Sequence, residues 1–140
     1  MNWDVSFQKT SRGWLLFLPL CPSTNARTMP VRFGSVCRDI LTPSAREYID
    51  VISNTLKLWT SRYKFNPVDT HQYFDFWFIL PRTNCDSHNY FKILADCLEI
   101  GGVVENDKFI LPRVNGISFD AKNPEAIIFI KSFQNVGNVI

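Results

Sequence analysis

Tyr73-Phe-Asp-Phe-Trp-Phe-Ile-Leu80, followed by Pro81-Arg82-Thr-Asn-Cys-Asp86-Ser87-His88-Asn89-Tyr-Phe-Lys92, is the stretch that decides how this chain folds. The first eight residues are almost continuously apolar, the pattern of a buried strand. Pro81 to Ser87 is a polar turn. A helical pattern follows at once: Tyr90, Ile93, Leu94, Cys97 and Leu98 form an apolar stripe, with Lys92, Asp96 and Glu99 on the polar side. Ser87 or Asn89 can cap this helix and Gly101-Gly102 can stop it. Asp107 comes next, after Val103-Val104. Asp86 and His88 are two apart, so in extended backbone they point to one side. A strand end, a helix start and a following loop thus each present an ionisable group. If the three converge, they make a small acidic pocket with a lysine beside it.

Outward from this stretch the chain divides cleanly. Trp3, Val5 and Phe7 alternate with polar residues, as in a half-buried strand, and Trp14 to Leu20 can return as a second. Residues 26–42 read as a long loop carrying Arg27, Arg32 and Arg38, the best candidate for a nucleic-acid-contacting arm. Thr42-Pro43 is a helix start, a cap residue and then proline at the first position. Ala45, Tyr48, Ile49, Ile52, Leu56 and Trp59 fall on one face of that helix, which runs to about residue 60. Lys108 to Val114 reads as a strand interrupted near Pro112, Asn115-Gly116 as a turn, and Ala126 to Phe133 as a last strand. The tail from Gln134 reads as disordered. The expected order is β-β-α-β-α-β-β. The expected fold is α+β: one two-layer domain over residues 1–140, with a mixed sheet and two main helices on one face.

The composition supports a single domain. There are 140 residues, 46% of them hydrophobic, with 12 Phe and 4 Trp to fill a core. The net charge of +2 is too small to demand a polyanionic partner, but it is unevenly spread. Residues 1–64 hold nine Lys/Arg and four Asp/Glu, a balance of +5, whereas residues 65–140 hold six and nine, a balance of −3. A basic half beside an acidic half suits phosphate binding next to metal binding; asymmetry of a solvated surface is the plainer account. Cys21, Cys37, Cys85 and Cys97 show no C-x-x-C pair, so they read as reduced thiols in a reducing compartment. Lys9 and Arg12 before the apolar run Trp14–Cys21 faintly resemble a secretory or lipoprotein signal. That run is too short to span a bilayer, which takes roughly 20 residues.

Asp86-Ser-His88-Asn89-Tyr-Phe-Lys92, then Asp96-Cys-Leu98, then Gly102-Val103-Val-Glu-Asn106-Asp107 resembles the motif of the RusA family of Holliday-junction resolvases. The spacing fits without a gap. Pro22-Ser-Thr-Asn25 and Leu41-Thr-Pro-Ser-Ala-Arg-Glu-Tyr48 resemble two earlier family segments, so the likeness spans roughly residues 14–133. Two positions depart from the pattern: His88 stands where the family has an acid, and Asn106 opens the later acidic pair.

The resemblance implies a dimeric, divalent-metal-dependent endonuclease, acting on four-way DNA junctions in the cytoplasm of a bacterium or encoded by a phage. Asp86 and Asp107 would be ligands of Mg²⁺ or Mn²⁺ by that resemblance, and Lys92 would be catalytic. The chemistry is consistent, because phosphodiester hydrolysis needs an activated water and relief of phosphate charge, and Mg²⁺ takes one or two carboxylates with water and phosphate. Lys92 would steady the phosphate or the leaving oxygen. His88 could bind metal, orient a water, act as a general base, or simply help begin the helix. Asn89, Asp96 and Asn106 would stand behind the ligands, with Asn89 as a helix cap and Asp96 in an i,i+4 pair with Lys92 as the plainer roles. Arg27, Arg32, Arg38, Lys64, Arg82 and Arg113 would contact phosphates. A junction-binding protein with weakened catalysis, and a secreted protein unrelated to DNA, are the competing readings.

Overall fold

A computed structural model describes residues 3–23 and 27–131. Four strands precede the first helix: β1 (Ser6–Lys9), β2 (Gly13–Pro19), β3 (Thr28–Phe33) and β4 (Val36–Leu41). Helix α1 (Pro43–Arg62) leads to β5 (Gln72–Leu80), a short 3-10 turn (Ser87–Tyr90) and helix α2 (Phe91–Ile100). A second 3-10 turn (Asp107–Phe109), β6 (Ile110–Phe119) and β7 (Glu125–Lys131) complete the described chain. The class is α+β, a single small domain whose mixed sheet has the order β1-β2-β7-β5-β6. All its pairings are antiparallel except β5 with β6. That parallel pair needs a crossover rather than a tight turn. The crossover is residues 81–109, which carry α2 and every acid of the motif.

Alternation along the strands builds the core. Phe74, Phe76, Phe78 and Leu80 of β5, Leu16 and Leu18 of β2, and Ala126, Ile128 and Ile130 of β7 point to the face that the helices cover. Tyr48, Ile49, Ile52, Leu56 and Trp59 of α1 and Ile93, Leu94, Cys97 and Leu98 of α2 fill it from above, as their spacing predicts. Thr42 caps α1, its Oγ1 accepting from the amide of Ala45 at 3.3 Å, with Pro43 beginning the helix. The Tyr48 hydroxyl donates to the carbonyl of Pro19 at 2.6 Å, and Thr60 Oγ1 to that of Gly101 at 3.1 Å, fixing α1 to β2 and to the end of α2. The run Trp14–Cys21, which resembles a signal, lies mostly in strand β2, with Trp14, Leu16 and Leu18 in the core. Among the described residues no helix is long and apolar enough to cross a membrane.

Four expectations are corrected. The loop 26–42 is a two-stranded antiparallel ribbon from Thr28 on, closed by a two-residue turn at Gly34-Ser35. Its strand periodicity is masked because no core lies on either side. The strand expected to stop near Val114 runs on to Phe119, through Pro112 and Asn115-Gly116. Pro112 is tolerated because β6 is an edge strand. The Asn-Gly pair makes a bulge, not a turn: Val114 pairs with Phe76 and Gly116 with Trp77, leaving Asn115 as the extra residue. Gly116 is needed there, since a Cβ would stand 2.8 Å from Cδ1 of Trp77. Finally, Asp86, not Ser87 or Asn89, caps the turn that precedes α2. The last strand is described as far as Lys131; the expected tail from Gln134, like Thr24 and Asn25 of the Pro-Ser-Thr-Asn segment, lies outside the described residues.

Candidate functional site

The polar face of α2 carries Lys92, Asp96 and Glu99 at intervals of four and three, so all three stand on one side of the helix. The chain leaving α2 is fixed by a short bridge to the segment before β5. The amide of Val68 donates to the carbonyl of Val103 at 2.9 Å, and that of Glu105 to Val68 at 2.8 Å. The next residues turn back over the helix. Glu99 Oε1 accepts the amide of Asp107 at 2.8 Å, and Asn106 caps the small turn by accepting from the Lys108 amide at 3.0 Å. Asp107 is thereby presented to Lys92, whose Nζ lies 3.2 Å from its Oδ2 and 3.3 Å from Oδ1 of Asp96.

A fourth residue joins from the foot of the ribbon. The Arg27 guanidinium donates through Nη2 and Nε to Asp96 Oδ2, at 2.9 and 3.2 Å. Asp96 therefore accepts from two cations at once and is largely buried. Its sequence role as a simple exposed i,i+4 partner understates it. The hydrogen bond to Asp107, helped by the nearby Asp96 carboxylate, raises the pKa of Lys92, so it is an ammonium throughout the neutral range.

Asp86 and His88 form a separate pair. Asp86 is extended and its side chain accepts from the His88 amide at 3.4 Å, a weak cap. Its Oδ1 also lies 2.9 Å from Nδ1 of His88. Both side chains are open to solvent, at 52% and 71%. Beside them, the Tyr90 hydroxyl and the Arg82 guanidinium lower the pKa of the Cys85 thiol. Burial, and then its hydrogen bond to Cys85, push Tyr90 up to about 12.

No family model matches this chain, and no curated protein matches it.

Of the strand end, helix start and loop expected to converge, Lys92 reaches Asp107 with Asp96 beside them, whereas Asp86 pairs with His88 instead of joining them. Among the described residues no three His, Cys, Asp or Glu side chains gather as a group able to hold a metal. The donor set does not suit a fully protein-ligated ion. A hydrated Mg²⁺ or Mn²⁺ asks for less, one or two carboxylates with water and phosphate in the remaining positions. Of the motif's aspartates, Asp86 and Asp107 have side chains 52% and 35% exposed, against 16% for Asp96. Arg32, Arg38 and Lys64 are exposed and make no ion pair among the described residues. Arg113 does: its guanidinium holds Asp75 at 2.7 and 3.2 Å and lies over the Tyr73 ring. Arg27 is likewise an internal strut rather than a free cation. Glu99 and the strut role of Arg27 are what sequence reasoning missed. The 92-96-99 spacing was a legible signal for the first; the second joins residues 69 apart and has none.

Proposed function

We propose that this chain is a divalent-metal-dependent endonuclease for branched DNA, of the RusA-like kind, acting on four-way junctions as a homodimer. The observation that carries the reading is that Lys92, Asp96 and Asp107, three residues of the sequence motif, meet in space although they come from a helix and a distant turn. A bare charge run on a solvated face would not place an ammonium between two carboxylates held by further hydrogen bonds. Dimerisation belongs to the same proposal, because two strands cut symmetrically require two sites related by a two-fold axis.

Each residue has a physical task. Lys92, kept charged by Asp107, would bind a phosphate oxygen or the departing oxygen. Asp96 and Arg27 hold the helix face on which Lys92 stands. Asp86 and Asp107 would hold the Mg²⁺ or Mn²⁺, which supplies charge relief on the phosphate and an activated water when bound. His88, with Nδ1 2.9 Å from Asp86 Oδ1, would act through Nε2 as the general base for the attacking water. Arg32, Arg38, Lys64 and Arg82 would meet phosphates, which position the DNA without reading its sequence.

A junction-binding protein with weakened catalysis is the second reading. What favours it is that His88 occupies an acid's place and closes on Asp86, leaving one carboxylate fewer. Labelled four-way junction and linear duplex, incubated with Mg²⁺, Mn²⁺ or EDTA, separate the two. Paired nicks in the junction that disappear with EDTA and in Asp86→Asn support the endonuclease. Selective binding without nicks in either metal moves the conclusion to the binding protein, and no selective binding removes both. A light-scattering mass of one chain in the bound complex would remove the homodimer.

A further inference from the structure

We propose that the tip of the β3–β4 ribbon, Phe33 with Val36, is a base-stacking wedge that engages unpaired or unstacked bases of a branched nucleic acid. The inference rests on the reading of the chain as a junction-directed protein and names the part of the substrate that the ribbon recognises.

The ribbon stands apart from the sheet. Among the described residues its strands pair only with each other, and Leu41 at its foot is the one ribbon hydrophobic that packs against the main core. Six residues per strand at about 3.4 Å each carry the tip roughly 20 Å from that foot. Phe33 and Val36 face each other at the last register pair, and they are 55% and 49% exposed. Gly34, at φ 62°, takes the left-handed conformation the two-residue turn demands, with nothing near it. The core does not use these side chains. An opposed apolar pair stabilises a hairpin modestly, but at 55% and 49% exposure this one leaves about half of its surface open to a partner.

The surrounding charges say what the tip meets. Residues opposed across an antiparallel ladder share a face. Val31 opposes Arg38 on the face of Phe33 and Val36, and Arg32 opposes Cys37 on the other. The tip is thus flanked by a guanidinium on each side of the ribbon, and both are exposed. Two cations astride an aromatic fit two phosphate strands astride a base, since every base offers a π face to a ring. Apolar side chains inserted at base steps unstack them, and a branch point is where that unstacking costs least. An apolar protein groove would gain nothing from the two arginines. The foot is tied to the candidate site itself: Arg27 grips Asp96, the carboxylate that also contacts Lys92. The ribbon's foot therefore stands beside Lys92.

The test places 2-aminopurine at the branch point of a synthetic four-way junction, or within one arm, and adds the full chain in EDTA so that no cutting competes. Wild-type protein should brighten the branch-point probe and leave the arm probe unchanged. Phe33→Ala, with an unaltered circular dichroism spectrum, should abolish the signal and reduce the preference for junction over linear duplex roughly tenfold. Phe33→Trp should retain both. An unchanged signal and preference in Phe33→Ala would overturn the wedge while leaving the proposed function standing. So would a Phe33→Ala chain that loses self-association in sedimentation and keeps the signal, since the tip would then be a protein contact. Failure of wild-type protein to prefer the junction would instead remove the proposed function, and the wedge with it.

Discussion

Lys92 stands 3.2 Å from Asp107 and 3.3 Å from Asp96, with its side chain half exposed. Its pKa is raised above 10.5 by those carboxylates. A raised lysine is charged, and its attraction fully present, below the unfolded value; the attraction is lost as pH rises through the folded value. Cleavage should therefore show no loss attributable to Lys92 between about pH 7 and 9, and a lysine-dependent fall in that interval would contradict the assignment. Lys92→Met should lower single-turnover cleavage by roughly a hundredfold and move the urea midpoint little, because exposed pairs contribute about 0–1 kcal/mol. Cys85 offers a second check. Tyr90 and then Arg82 favour its thiolate, so iodoacetamide should react with Cys85 at a lower pH than with an ordinary thiol. Tyr90→Phe should move that reaction to higher pH; an unmoved profile would dismiss the hydrogen bond. At this scale the sequence was informative where spacing is local. The 92-96-99 face and the Asp86–His88 pair follow from positions a few residues apart. Arg27 on Asp96 does not, because only the folded ribbon brings residue 27 to α2.

The elements were legible in proportion to their contact with the core. Helices α1 and α2 and strand β5 each bury one periodic face, and that periodicity is visible in the chain. The ribbon and β6 lack it. Most of the ribbon residues that alternate do so against solvent, and β6 lies at the sheet edge, with proline and an Asn-Gly bulge that imitate loop signals. The ribbon's attachment is correspondingly slender: Leu41 packed on the core, and the Arg27–Asp96 pair. Arg27→Ala removes a charge-assisted pair worth about 1.5–3 kcal/mol. Amides of residues 28–41 should then exchange with solvent about tenfold faster or more, while those of β2, β5 and β7 hold their rates. Equal acceleration everywhere would mean that the pair supports the whole fold rather than the ribbon.

The whole molecule is organised about β5. Phe76 stacks on Phe78 at 5.8 Å and meets Phe91 of α2 edge-on at 5.0 Å, so sheet and second helix share one aromatic cluster. Phe76→Ala should cost about 3–5 kcal/mol. Fluorescence of buried Trp14 and Trp59 and far-ultraviolet circular dichroism should report one coincident urea transition, shifted together; two separate transitions would show that α2 and the β1–β2 end unfold independently. The opposite sheet face, with Leu15, Phe17, Trp77, Ile79, Ile127 and Phe129, is only partly shielded in the single chain. The rim of the same sheet has a different character. Among the described residues strand β6 offers ten residues of open ladder, long enough to template a neighbouring molecule and seed fibrils. Pro112 withholds an amide proton, Asn115 throws the register out by one, and Arg113 sets a cation on that border. The very features that disguise β6 as a loop in the sequence are those that keep one molecule's sheet from growing into the next.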